Sequence, residues 1–248
     1  IEGWRKAGMR RFVLRPNSLC YRGVLPRGFE RYFYDNFQTA LKNGMIGCDY
    51  DGSCRRVMDF EYYAVARAIS DPTIGFDTIE REFLSQYGAA APVMKESYDR
   101  VRARGEVARI ARQNLPAAEK EVVGDDSQLY KGMLEANPVE ELERDLAVLR
   151  RAAAVEGLSP VERKRVELRL LLGEHALKTG KFLHARDTRP MKEFSKLGLD
   201  LLKFRTEICR KVPDEWGRLF RAYRCEVRWW RHMRQALKAK HPEMELDD

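Results

Sequence analysis

Two groups of residues in this chain have types and spacing suited to chemistry. The first is acidic. A short apolar run, Met45-Ile46-Gly47-Cys48, stops at Asp49-Tyr50-Asp51-Gly52. Carboxylates at the end of a strand accept hydrogen bonds from hydroxyls or move protons. The same aspartates also suit an Asx turn, or an N-cap for the helix that begins near Asp59. The second group is basic. Arg218, Arg221, Arg224, Arg228 and Arg231 recur at helical spacing beside an apolar face of Trp216, Leu219, Phe220, Tyr223, Val227, Trp230, Met233 and Leu237. Such a face reads phosphates, stands in solvent, or pairs with acids of a neighbouring helix such as Glu140, Glu141, Glu143 and Asp145.

The net charge of +8 makes the basic group worth locating. Between Lys203 and Lys240 there are twelve Lys and Arg against four Asp and Glu, so that stretch accounts for the whole excess. It brings no Gly/Ser-rich or Lys-rich arm of the kind nucleic-acid binders add. The expectation is a structural face, with nucleic acid an unlikely partner. Five cysteines, Cys20, Cys48, Cys54, Cys209 and Cys225, are an odd and sparse set, which reads as free thiols rather than a disulfide framework. The four histidines are scattered, and no Cys/His grouping has zinc-ligand spacing. No metal site and no cofactor are expected.

The elements that must position these groups follow from periodicity. Residues 10–15 are a short apolar run ended by Pro16-Asn17, which predicts a strand and then a loop. Phe29, Tyr32, Phe33, Asn36, Phe37, Ala40 and Leu41 recur at three-and-four spacing and stop at Asn43-Gly44, which predicts a helix. The strand 45–49 follows directly. Strand, helix and strand with tight connections form a βαβ unit with parallel strands and a right-handed crossover. A further helix runs from Asp59 to about Ser70, and no more strands are expected. Two parallel strands bury too little by themselves, so further strands are expected before this chain.

From Asp71-Pro72 onward the pattern is helical throughout. Helices are predicted from Asp77 to Tyr87, and from about Pro92 to Gln113 with a possible break at Gly105. Pro116 and Gly124-Asp125-Asp126 mark a domain edge, which divides residues 1–115 from an all-helical part, 116–248. Asn137-Pro138-Val139-Glu140 opens another helix. Ser159-Pro160-Val161-Glu162 opens the next with a capping box, and that helix is expected to end at Gly180. Two more follow, Thr188–Cys209 and 213–240. Hydrophobic residues make up 44% of the chain, enough for a core. No apolar run approaches the ~20 residues of a membrane span. Ile1-Glu2-Gly3-Trp4 has no initiator Met or signal-peptide core and reads as mid-domain sequence.

The order of several short elements resembles a known family. They are Leu14-Arg15-Pro16-Asn17, Leu25-Pro26-Arg27, Asn43-Gly44-Met45-Ile46-Gly47, Glu61-Tyr62-Tyr63, Asp71-Pro72 and Phe83-Leu84-Ser85-Gln86-Tyr87-Gly88-Ala89-Ala90. In this order, residues 10–104 resemble the C-terminal part of a bacterial domain of unknown function found in glycoside-hydrolase-like proteins, barrels similar to the β-hexosaminidase and α-glucuronidase group. The helix around Arg163–Glu174 is similar to the helical region that follows such barrels.

The resemblance implies a (β/α)8 TIM-type barrel whose last two strands are 10–15 and 45–49, followed by a helical domain. Barrel sites lie at the C-terminal ends of strands. Carried over, this puts Arg15, Asn17, Tyr21, Arg22, Asp49, Tyr50 and Asp51 at the mouth, where carboxylates and amides would hold hydroxyls and aromatics would stack on a sugar ring. Trp4 is a further candidate platform, or a core residue. The implied function is a carbohydrate-active protein, a glycoside hydrolase when complete, with a glycan as ligand, the N-terminal remainder of the barrel as partner, and a periplasmic or secreted location.

A non-catalytic glycan-binding barrel and a helical module using the basic face are the alternatives. Hydrolysis needs two carboxyls, roughly 5–5.5 Å apart for retention or roughly 6.5–9.5 Å for inversion. Asp49 and Asp51 are the candidates in this chain. Alternate strand residues face opposite ways, so the catalytic residues stay unassigned.

Overall fold

The computed structural model describes residues 2–15, 25–49, 59–113, 134–185 and 188–212. Those residues are mostly helical, with one short parallel sheet of two strands. In chain order they form α1 (Glu2–Lys6), β1 (Phe12–Leu14), α2 (Glu30–Lys42), β2 (Met45–Cys48), α3 (Asp59–Ser70), α4 (Phe76–Ser85) and a 3-10 turn (Gly88–Ala90). Then come α5 (Ala91–Gln113), α6 (Val139–Ala153), α7 (Pro160–Ala185) and α8 (Met191–Lys211). The expected helix 213–240, with its arginine face, lies outside the described residues.

The βαβ unit is present. Strands β1 and β2 pair in parallel, with Phe12 opposite Met45, Val13 opposite Gly47 and Leu14 opposite Cys48. The aromatic stripe of α2 explains its placement. Phe33, Phe37 and Ala40 are buried, and Phe12, Leu14 and Cys48 pack against the core cluster that holds Phe37 and Ala40. Strand alternation sends Val13 and Ile46 the other way, and they stand 60% and 66% exposed. One face of the sheet is therefore covered by helix and carries the core. Two strands are the whole sheet among the described residues, so a closed barrel is not shown by them.

The core centres on aromatic rings. Phe60 stacks on Phe83 at 4.2 Å between centroids, and Tyr98 stands edge-on to both, at 5.5 and 5.4 Å. Such stacked and T-shaped contacts add to the area these rings bury. The same cluster takes in Leu149, Ala152 and Val166, so it draws on residues from either side of 114–133. A second cluster joins Leu25 to Leu142, Phe182, Leu183, Phe194 and Leu201.

Two expectations about helix ends are corrected. Gly105 does not break α5, which runs uninterrupted from Ala91 to Gln113. Gly180 does not end α7, which continues to Ala185. Gly105 stands against the Arg27 carbonyl oxygen, and Gly180 and Gly173 of α7 stand against leucines of α6. A Cβ on Gly180 would lie 2.4 Å from Leu142 Cδ1, and one on Gly173 would lie 2.5 Å from Leu149 Cδ1. The rising number on α7 against the falling number on α6 shows that the two helices run antiparallel. The capping box at the start of α7 forms as expected: Ser159 N–H donates to Glu162 Oε2 at 2.8 Å, and Glu162 N–H donates to Ser159 Oγ at 3.3 Å.

Candidate functional site

The parallel pairing brings two of the seven expected site residues together. Arg15 and Asp49 follow the last residues of β1 and β2, and Asp49 N–H continues the ladder by donating to the Leu14 carbonyl at 2.9 Å. Their side chains then meet, with Arg15 Nε 3.2 Å from Asp49 Oδ2, and remain 66% and 62% exposed. Asn17, Tyr21, Arg22, Tyr50 and Asp51 lie outside the described residues. Trp4 is not a core residue, being 70% exposed on α1. Its neighbour Arg5 donates to Asn43 Oδ1 at 3.3 Å, which ties α1 to the turn that enters β2. That turn is at the opposite end of the strands from Arg15 and Asp49.

Three of the four acids offered as partners for the basic face, Glu141, Glu143 and Asp145, have partners among the described residues. Glu141 and Asp145 of α6 are held by Arg100 and Arg104 of α5: Arg100 Nη2 to Glu141 Oε2 is 2.7 Å, and Arg100 Nε to Asp145 Oδ1 is 3.0 Å. Arg104 adds a two-nitrogen grip on Asp145. Glu143 pairs with Lys181 at 2.7 Å. Asn137, at the start of α6, donates from Nδ2 to the Pro26 carbonyl at 3.1 Å and so ties that helix to the chain entering α2.

A second polar centre, not expected from the sequence, lies where α2, α3, α4 and α5 converge. Glu30 in the first turn of α2 is 1% exposed, and Glu61 in the first turn of α3 is 3% exposed. Phe29 N–H donates to Glu61 Oε1 at 3.3 Å, so α3 supplies an acceptor to the start of α2. Arg102 of α5 donates from Nε to Glu30 Oε1 at 2.6 Å, from Nη2 to Glu80 Oε1 at 2.6 Å and from Nη1 to Asp99 Oδ1 at 3.1 Å. Burial pushes the Glu61 carboxyl up to about 8, and the nearby charges of Glu30 and Asp59 add to this. Burial also raises the Glu30 carboxyl, against the pull of Arg102.

Beside these groups, Arg169 Nη1 donates to Asp59 Oδ1 at 3.0 Å while its guanidinium lies 4.8 Å from the Tyr98 ring centre. Burial works against the Arg169 charge, yet Asp59 holds it above the ordinary range. Tyr98 donates to Asp59 Oδ2 at 3.3 Å, and its hydroxyl is 3.0 Å from that of Tyr87. Burial lifts the Tyr87 phenol to about 12 and that of Tyr98 well above its usual value. In sequence, a Glu in a first helical turn reads as an exposed partner for the helix dipole. Its burial depends on which helices converge there.

Among the described residues no three His, Cys, Asp or Glu are grouped to hold an ion. Buried His175 accepts from Arg205 Nε at 2.9 Å, and His184 Nε2 is 3.0 Å from the Asn137 carbonyl oxygen. Cys48 is a free thiol, and Cys20, Cys54 and Cys225 lie outside the described residues. No described helix is long and apolar enough to cross a membrane.

Chemically, Arg15 and Asp49 offer a charged donor and a charged acceptor side by side in solvent. That suits a ligand rich in hydroxyls. Among the described residues this edge carries one carboxylate, Asp49, where glycoside hydrolysis uses a pair. No family model matches the chain, and neither a curated protein nor a solved structure matches it.

Proposed function

We propose that this chain is part of a carbohydrate-active, glycoside-hydrolase-like protein, and that the C-terminal edge of its parallel sheet contacts the sugar. The observation behind this reading is the meeting of Arg15 and Asp49 from two different strands, 3.2 Å apart and still about two-thirds exposed. Ligands of parallel sheets bind outside the carboxyl ends of the strands. An exposed ion pair adds only about 0–1 kcal/mol to stability, so the fold has little need of it. The exposed apolar side chains Val13 and Ile46 support membership of a larger sheet, because parallel strands are ordinarily covered on both faces. The resemblance of residues 10–104 to glycoside-hydrolase-like barrels supplies the ligand class.

Titration of the protein with a panel of neutral and acidic oligosaccharides tests the reading. Arg15→Ala and Asp49→Asn should each weaken binding of the recognised glycan by about tenfold or more, the equivalent of about 1.4 kcal/mol, with melting temperatures unchanged. Wild-type affinity in both variants, or no glycan bound at millimolar concentration, would remove the assignment.

A further inference from the structure

The seam between α7 and α8 carries an inference independent of the sugar reading. The two helices form an antiparallel hairpin whose contacts fall in layers. Phe182 stacks on Phe194 at 4.7 Å between centroids, His175 meets Arg205, and Leu172 shares an apolar cluster with Ile208. The middle layer is polar and closed to water, with His175 1% exposed and Arg205 6% exposed. Arg205 Nε donates to His175 Nε2 at 2.9 Å. A guanidinium has donors only, so Nε2 presents its lone pair. The ring is therefore neutral, with its proton on Nδ1. One turn either side of the pair, α7 and α8 carry Leu, Ile and Thr, together with Cys209 and a single charge, Lys178. Lys178 Nζ stands 5.5 Å from the ring centre of Phe204, which lies nearly parallel to the His175 ring. On α6, Glu143 is paired with Lys181, Glu141 with Arg100, and Asp145 with Arg100 and Arg104. Among the described residues, the charges in this layer are thus Arg205 and Lys178, both cations.

We propose that His175 makes the α7–α8 hairpin acid-sensitive: its neutral ring accepts from Arg205, and a protonated ring would lose that bond and stand as a cation against a cation. Burial raises the cost of both effects. Linkage sets the direction with pH. An unfolded chain protonates this histidine at the ordinary imidazole value, about 6.5. The folded chain takes up the same proton only by giving up the Arg205 bond. The stability that the pair contributes is thus complete above about pH 6.5 and declines as pH falls below it, by up to about tenfold in the unfolding constant for each pH unit.

Urea titrations of the wild type and His175→Gln between pH 7.5 and 5.5 test the proposal. Glutamine keeps an acceptor for Arg205 but carries no titratable proton. The wild-type unfolding constant, taken relative to that of the variant, should rise about tenfold across this range. Parallel profiles would overturn the proposal. Nitrogen NMR of the His175 ring in the wild type provides a reading that does not need the variant to fold. An Nδ1–H tautomer at pH 7 that persists below pH 6 supports the proposal. An Nε2–H tautomer at pH 7, or half-protonation near the ordinary value of about 6.5, overturns it.

Discussion

Replacing Gly105 by alanine should destabilise the protein, although it puts a better helix former into the interior of α5. Helix propensity alone favours alanine there by about 1 kcal/mol. The surroundings oppose it. A Cβ on Gly105 would lie 1.9 Å from the Arg27 carbonyl oxygen and 3.1 Å from Phe29 Cε1. The contact is mutual, because a Cβ on Gly28 would lie 2.5 Å from Arg102 Cα and N. Backbone thus meets backbone, and no side chain can rotate away. Reaching an ordinary carbon–oxygen distance needs a displacement of over 1 Å.

Neither partner in that contact moves freely. Arg100 and Arg104 fix α5 to α6, and the Asn137 amide holds the Pro26 carbonyl at 3.1 Å. Overpacking of this kind costs about 1–3 kcal/mol, and a backbone clash belongs at or above the top of that range. The net expectation is a loss of about 2 kcal/mol. In a chain of this size that lowers the melting temperature by about 4–8 °C. Urea titration at unchanged m-value measures it directly. A neutral or stabilised Gly105→Ala variant would show that the chain before α2 does not rest against α5, and with it the packing described for the start of α2 would fall.

Two further outcomes follow from the ion pairs. Asp145 is 6% exposed and accepts from both Arg100 and Arg104, so Asp145→Ala leaves two part-buried guanidinium groups to share Glu141. It should cost about 3–5 kcal/mol in urea titration, and a loss under about 1 kcal/mol would mean that the network is ornamental. Arg15→Ala breaks an exposed pair and should change stability by less than about 1 kcal/mol. A larger loss would make Arg15 a structural residue and weaken its reading as a ligand contact.

The βαβ unit was legible because its signals are local: an aromatic stripe at helical spacing, Asn43-Gly44 at its end, and short apolar runs on either side. The side-by-side placement of Arg15 and Asp49 followed from parallel pairing. The capping box of α7 was legible for the same local reason, since Ser159 and Glu162 satisfy each other within one turn. The far end of α7 was not, because a glycine that stops a helix and a glycine that admits Leu142 are the same letter. Glu30 and Glu61 were passed over because each looks like a surface acid in a first turn. Only the convergence of α2, α3 and α5 takes them out of water. The acids of α6 were offered to the basic face at the C-terminal end of the sequence, without weighing α5, whose Arg100 and Arg104 have the matching one-turn spacing.

That spacing has a mechanical consequence. Arg100 and Arg104 lie one turn apart and meet Glu141 and Asp145, also one turn apart, while Arg102, pointing the other way, grips Glu30 and Glu80. A helix held on opposite faces has its register locked. Sliding by one turn, about 5.4 Å, would break pairs on both sides at once, and so would rotation about its axis. Shear along packed helices is one of the two common routes for motion within a domain, and along α5 it is closed. Movement of the helices packed on α5 should therefore be a hinge about it, with that helix as the fixed post.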